Sequence, residues 1–466
     1  MKFKLQLVTE LECGESKTVA DIFTIERGEL CAENLGLKLD EAKQILEVIQ
    51  RTIVQKQVEN FEKTQKQCLQ CSSFKKSKGF YPLTFRSLFG NVRLDCQRLF
   101  HCACSELEAK SFSPLSELLP QHSAPELVYM ETKWSSLVSF EMAAMLLKDL
   151  LPVNSTTNAV TVRNHTHAVA QRLEQEMGDE EAMFASGCPM EWAELPHPDG
   201  PITVGIDGTY VREWADKKKQ FEIIIGKSIP DDGQAKCFGF VQSFDKKPKR
   251  RLFDVLTGQG MQMNQQIIFL SDGGEDVRSL QLYMNPQAEH VLDWFHITMR
   301  LTVLKNCATG IKSMNKKVGE EALKYVNSAK WYLWHGNVYS ALDAIENLND
   351  CLSPEQCDED ENDIWSKSQK PKLAKIQGYV EEFQVYIQRN AHCLVNYGER
   401  YHAGERISTG FTESAVNYVV NKRFSKRQQM QLSKSGAHLL LQTRTQVLNG
   451  QLEKTFERWY PGAKAA

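Results

Sequence analysis

What this 466-residue chain lacks narrows its class before any motif is read. It has no uninterrupted apolar run of about 18 residues, so no membrane span is expected. Its first ten residues carry no sustained apolar core and soon turn acidic, so a secretory leader is not expected either. It has no surplus of positive charge. Lys and Arg number 56 against 59 Asp and Glu, and the balance of −3 argues against a uniformly basic nucleic-acid binder. Nor is it a disulfide scaffold: its 13 cysteines are spread along a chain too long to need stapling. Several, such as Cys237 and Cys307, lie alone in apolar surroundings, where a reduced core thiol in a reducing, cytoplasmic setting is expected.

What is there reads as a globular protein, with 42% apolar and 25% charged residues. The length exceeds a single core, so about two to four domains are expected. Charge is unevenly placed. Residues 405–466 hold ten Lys or Arg against four Glu, a local balance of +6, and residues 246–251 form a second basic cluster. Residues 355–363 are strongly acidic and read as a break in structure. Such basic clusters are either solvated surface or phosphate-binding patches.

Residues 1–60 read as an N-terminal helical region. Ala42, Ile45, Leu46 and Ile49 form one apolar stripe on a helix that faces either the core or a partner. Residues 61–115 hold Cys68-Leu69-Gln70-Cys71, then alternating runs on either side of Gly90-Asn91, a hairpin signal, then Cys102-Ala103-Cys104. Cys68, Cys71, Cys102 and Cys104 either close a zinc ribbon or remain reduced, with Cys96 and His101 as alternative ligands. Residues 116–195 read as helices broken near Pro152, the second capped by Ser155 or Thr156. That second helix carries Arg163, Asn164, His165 and His167. It is either a DNA-reading element of a helix-turn-helix or the polar face of a helical hairpin. Pro196, Pro198, Gly200 and Pro201 then mark a domain boundary, because proline removes backbone donors and fixes φ.

After that boundary the pattern turns to strands at 202–210, 220–228 and 236–244, a helix at 250–256, a strand at 266–271, a helix at 275–283 and a short strand at 290–294. Three strands in meander followed by strand–helix–strand is the order of an RNase H-like α/β fold. Residues 201–296 would be its first part, 297–405 a helical insertion and 406–466 its second part. Asp207 and Asp272 close two of the strands, each followed by glycine, and Glu413 lies on a later helix. Hard carboxylate oxygens at two strand ends and one helix suit two Mg²⁺ ions about 3.5–4 Å apart, which clamp the attacking and leaving oxygens of a phosphodiester. Asp293 and His296 either orient substrate and support the metal shell or, for His296, form a satisfied structural contact, and the supporting Asn417 lies one turn beyond Glu413. Lys422, Arg423, Lys426 and Arg427 would extend a positive strip along DNA.

Four segments resemble bacterial insertion-sequence transposases of the Kra group. They are Gly205-Ile206-Asp207-Gly208-Thr209-Tyr210, Leu270-Ser271-Asp272-Gly273-Gly274, His290 through His296, and Thr409 through Ala415. The likeness extends over roughly 68–450, and the one-residue spacing of Cys102 and Cys104 and the residue Leu432 depart from the family pattern. The resemblance implies an Asp-Asp-Glu transposase with Asp207, Asp272 and Glu413 as its metal-binding triad. It implies two Mg²⁺ ions, with Mn²⁺ able to substitute, and Zn²⁺ at the cysteines. The partners would be double-stranded DNA, both element terminal repeats and target, and further copies of the chain, in the cytoplasm and on the nucleoid when DNA-bound. The rivals are an RNase H-like nuclease or resolvase that does not join strands, and an inactive DNA-binding repressor.

Overall fold

The computed structural model describes all residues except 11–16, 69, 105–110, 120, 197–199, 217, 275–278, 281–283, 285–287, 354–363, 425–431 and 463–466. The expected helix at 275–283 and the acidic break at 355–363 fall largely or wholly outside the described residues. The chain divides into two compact units, 1–172 with 450–466, and 173–449. None of the described helices is long and apolar enough to cross a membrane.

The first unit opens with an antiparallel hairpin, not a helix. Strands β1 (Lys2–Glu10) and β2 (Lys17–Glu26) pair from Lys2↔Glu26 to Glu10↔Lys17. The alternation Lys2-Phe3-Lys4-Leu5-Gln6-Leu7 has period two, and that overrides the helical reading of this stretch. The expected helix begins later, at Leu39–Gln65. Next come β3 (Ser77–Ser87), β4 (Gly90–Phe100) and the short β5 (Ser111–Phe112), an antiparallel three-stranded sheet. The β3–β4 turn falls on Leu88 and Phe89, two places earlier than the Gly90-Asn91 signal, because Ser87 pairs with Gly90. Gly90 then takes φ of +105°, a backbone conformation that side chains disfavour.

Helices Pro125–Leu137, Phe140–Leu150 and Ala159–Glu176 follow. The last is capped by Asn158, whose side chain accepts from the Val160 and Thr161 amides at 3.0 and 3.1 Å, and not by Ser155 or Thr156. Asn154 holds Thr156 in a local turn instead, through its amide at 2.8 Å. The connection 151–158 is longer than the three or four residues, roughly, of a standard helix-turn-helix. The final helix, Leu452–Trp459, joins this first unit and not the sheet of the second. Phe456 meets Tyr129 edge-on at 5.3 Å, and Arg172 lies over Trp459 at 4.0 Å.

The second unit is built on a mixed five-stranded sheet. Its strands are β6 (Ile202–Arg212), β7 (Gln220–Pro230), β8 (Lys236–Val241), β9 (Ile267–Ser271) and β10 (Ala288–Leu292), in the spatial order β10-β9-β6-β7-β8. β6, β7 and β8 form an antiparallel meander, while β9 runs parallel to β6 and β10 parallel to β9. Side chains alternate across the sheet. Ile202, Val204 and Ile206 of β6 share one core with Ile267 and Phe269 of β9 and with Leu252 and Leu256 of helix Pro248–Thr257. Ile268 and Leu270 face the other way, into the core of a helical segment.

That segment comprises helices Trp294–Lys312, Lys316–Trp334, Val338–Cys351, Lys370–Arg389 and Tyr397–His402. The fifth strand ends two residues earlier than expected, at Leu292. Asp293 accepts from the Phe295 amide at 2.9 Å and so caps a helix that starts at Trp294. The chain returns to the sheet in helix Gly410–Val416. It continues through a π-turn at Asn417–Asn421, and helix Lys434–Leu448 packs beside β8.

Candidate functional site

Asp207 lies in β6 just past its buried run, and Asp272 directly follows β9. Their strands are parallel neighbours with Thr203 opposite Ile268 and Gly205 opposite Leu270. Continuing that register by two sets Asp207 beside Asp272, and the two-residue period puts both on the sheet face that Ile268 and Leu270 share. A strand-interior glycine marks a close backbone approach, and Gly205 is one. A Cβ at Gly205 would stand 1.9 Å from Thr412 Oγ1 and 2.8 Å from Phe411 Cζ. Helix Gly410–Val416 therefore lies directly on the face to which Asp207 belongs, with Glu413 exposed next to Thr412.

The helix is fastened there by Asp293. This carboxylate is fully buried and its oxygens are all engaged. Oδ1 accepts from the Phe295 amide at 2.9 Å and from the Thr409 amide at 3.0 Å. Oδ2 accepts from His296 Nδ1 at 2.6 Å and from the Thr409 hydroxyl. The Trp294 amide also donates to Ile407 O at 3.1 Å. Exit from the sheet and return to it are stitched together, so the intervening helices do not separate the Glu413 helix from β6 and the end of β9. Asp293 thus supports the site as a clip and has no oxygen left for a metal. Thr409 is its partner.

Asp207, Asp272, Asp293 and His296 sense one another. Burial pushes the Asp207 carboxyl up, and the Asp272 and Asp293 charges add to this, against His296 and the Gly208 amide. His296 is drawn up by its hydrogen bond to Asp293 and by the charges of Asp293, Asp272 and Asp207, against burial. The arrangement is a cluster of acids with one histidine among them. It is not a closed single-ion cage. Among the described residues, the sets of three or more ligands within 4.8 Å of one another are the four cysteines and Glu174, Asp245 and His438.

The second set is already occupied by a protein cation. Arg251, 3% exposed, donates to Asp245 Oδ2 and Oδ1 at 2.9 and 3.1 Å, to Glu174 Oε1 and Oε2 at 3.0 and 3.1 Å, and to Gln442 Oε1 at 2.5 Å. A guanidinium held bidentately by both carboxylates already takes up the oxygens that a metal would need. This set is structural.

The cysteines are close enough to bind a metal such as zinc. Cys68 and Cys71 sit in a knuckle after helix Leu39–Gln65, with Ser72 at φ of +54°, and β4 delivers Cys102 and Cys104. Sulfur separations are 3.5 Å for Cys68–Cys104, 3.1 Å for Cys71–Cys102 and 3.6 Å for Cys71–Cys104. A tetrahedron with Zn–S bonds of about 2.3 Å has edges of about 3.8 Å, so a small expansion admits the ion. The Cys104 amide, then Ser73 and Cys71, draw the Cys102 thiol down to about 6. Neither alternative ligand takes part: Cys96 is fully buried in the hairpin core and His101 stacks on Phe112 at 4.5 Å.

Of the expected DNA-facing residues, Arg163 and Asn164 are exposed side by side. His165 turns inward to Glu131, and His167 is largely buried against Phe140. In the later strip Lys422 and Asn417 are exposed, whereas Arg423 is fully buried. This corrects the expected strip. Thr412, Val416, Val419 and Arg423 recur at helical spacing on the buried face, a pattern that the basic composition concealed. Burial and the Arg444 charge lower the Arg423 pKa to about 9. Lys426 and Arg427 lie outside the described residues. The π-turn leaves carbonyls that the α-pattern would have paired, and Arg444 donates to Val419 O at 2.6 Å and to Tyr418 O.

No family model matches the chain, and no curated protein is significantly similar to it.

Proposed function

We propose that the chain is a DNA transposase of the Asp-Asp-Glu type with an RNase H-like core. The observation that carries this reading is the juxtaposition of Asp207, within β6 just past its buried run, and Asp272, just past the parallel strand β9, beneath the Glu413 helix, in the strand order β10-β9-β6-β7-β8. Meander strands followed by two parallel strands, with a helical insertion before the last acidic helix, are the features expected of that fold. Its activity is argued from the site and not from the fold.

Asp207, Asp272 and Glu413 would hold two Mg²⁺ ions, or Mn²⁺ in their place. Their hard oxygens suit such ions, and an Asp207 carboxyl pushed up by burial and like charge gains from a bound cation. When bound, the ions supply Lewis-acid polarisation of the phosphate and a nucleophile at neutral pH. The chain's own residues build the cluster. Asp293 and Thr409 fix the Glu413 helix, His296 balances charge, and Gly205 lets the helix reach the sheet. A water oxygen, then the freed 3′-hydroxyl, would attack phosphorus in line as the opposite P–O bond breaks and its oxygen takes up a proton. A Cys68, Cys71, Cys102 and Cys104 zinc ribbon, exposed Arg163 and Asn164, and Lys422 would bind terminal repeats and target DNA. Pairing two DNA ends calls for a homo-oligomer.

The test is cleavage and joining of duplex DNA carrying the sequences that flank the gene, with Mg²⁺, for wild type and Glu413→Gln. Joined products from wild type alone, falling on the order of 10³-fold in the variant, are expected. Cleavage without joining would replace the reading by a nuclease, and specific binding without cleavage by a repressor. Equal activity of the two proteins would remove Glu413 from the site.

A further inference from the structure

Arg300 lies on helix Trp294–Lys312, one turn beyond His296 on the same helical face. His296 faces the acids, so Arg300 stands roughly 5–6 Å further along the rim of the cluster. It is exposed, yet it is not loose: its guanidinium lies over the Tyr386 ring, 4.2 Å from the centroid. Stacking on an aromatic face holds a cation without neutralising it. Among the described residues no carboxylate forms an ion pair with Arg300, although Asp272 and Asp293 lie close enough to act electrostatically on the ring that carries it.

Tyr386 is itself fixed against the Asp272 turn. One turn further along its helix, Asn390 packs so closely on Gly273 that a Cβ there would meet Asn390 Oδ1 at 2.4 Å. The Tyr386 hydroxyl is sealed from solvent and has no hydrogen-bond partner among the described residues. A buried hydroxyl in that state costs stability, and the ring it belongs to presents an arginine beside the acidic turn.

We infer that Arg300 is a phosphate-binding residue of this site, held by Tyr386 as its positioning residue, and that it grips the DNA backbone next to the phosphate under attack. The inference rests on the transposase reading for the identity of the substrate. Arg300 is far enough from the acids not to compete with metal ions for them. It is near enough to take a neighbouring phosphate of the same strand, where a planar guanidinium can donate to two oxygens at once. The sequence pattern places positive contacts at Arg163 and along the strip after Glu413; Arg300 adds one from the helical insertion.

The test uses the full chain and the flanking-sequence duplex, with binding measured across a salt series without divalent ions and single-turnover cleavage measured with Mg²⁺. Arg300→Gln is expected to weaken binding about tenfold at low salt. It should also lower the slope of log K against log salt by about 0.9, the loss of one phosphate contact. Arg300→Lys keeps the charge and should keep the slope. Tyr386→Leu should keep the slope but lose several-fold in cleavage, because the cation is no longer held in place. Lys312→Gln, further along the same helix and paired with Glu320, should leave both unchanged. A wild-type slope for Arg300→Gln on a chain that cleaves DNA overturns the assignment alone, as does an equal drop for Lys312→Gln. A wild-type chain that neither binds nor cleaves the duplex overturns the transposase reading and this inference together.

Discussion

Two groups of carboxylates belong to the same unit, and the fold treats them in opposite ways. Glu174 and Asp245 are given a cation: Arg251 fills the space between them, and Gln442 accepts from its remaining side. Asp207, Asp272 and Glu413 are given none of their own. The titratable base beside Asp207 and Asp272 is His296, whose Nδ1 is already committed to Asp293. A folded chain tolerates buried or crowded acids only when something balances them. Where the balance is internal the acids are structure; where it would come from outside, as proposed for Asp207, Asp272 and Glu413, they would be a site. The cysteines follow the second pattern, with thiols gathered around a space that a metal fits.

The comparison breaks most visibly at Arg251. Arg251→Met leaves two carboxylates, one of them 2% exposed, without their guanidinium, and should cost about 3–5 kcal/mol of stability. Adding Glu174→Gln and Asp245→Asn should recover much of that loss, read as the denaturant midpoint of the three variants. Acid should reveal the same network. Burial alone would raise the Glu174 carboxyl, but His438 and Arg251 outweigh it and hold it down to about 2 from an ordinary 4.5. A folded value below the unfolded one gives stability that is full above about pH 4.5 and lost as pH falls toward 2. Between those limits wild type should lose on the order of 3 kcal/mol more than Glu174→Gln. Parallel pH curves for the two proteins would show that the ion pair contributes nothing.

Much of the sheet was legible in the sequence because its strands are apolar runs bounded by turn residues; Asp207 stood out where the apolar run of β6 stops, although the strand itself continues to Arg212, and Asp272 where β9 ends. The misses have physical causes. The β1–β2 hairpin was read as helix, since the strong stripe of Leu39–Gln65 dominated its neighbourhood. Arg423 was counted as surface from its charge, although Thr412, Val416 and Val419 at helical spacing put it inside. The clip between Asp293 and Thr409 joins residues 116 positions apart, and no local pattern announces it. Arg300 and Tyr386 likewise meet only through tertiary packing. Gly205 did carry a signal: a glycine within an otherwise apolar strand marks a close approach, here that of Thr412.

The subtlest contrast lies between the effects of neutralising an acid in each group. Asp207→Asn removes a charge that burial and two neighbouring carboxylates disfavour. The folded carboxyl is raised above its ordinary 3.8, so the charged form destabilises the fold above that range and ceases to do so below it. At pH 7 the variant should therefore melt higher than wild type, and the gain should vanish as pH falls through the carboxylate range. Metal should reverse the order. Mg²⁺ or Mn²⁺ stabilises whichever protein binds it in the folded state, so added metal should raise the melting temperature of wild type more than that of Asp207→Asn. Glu174→Gln, by contrast, should melt lower than wild type at pH 7 and respond to metal as wild type does. An Asp207→Asn variant that melts lower without metal and gains as much from it would mean that Asp207 is balanced inside the fold like Glu174, and that the cluster is not waiting for an ion.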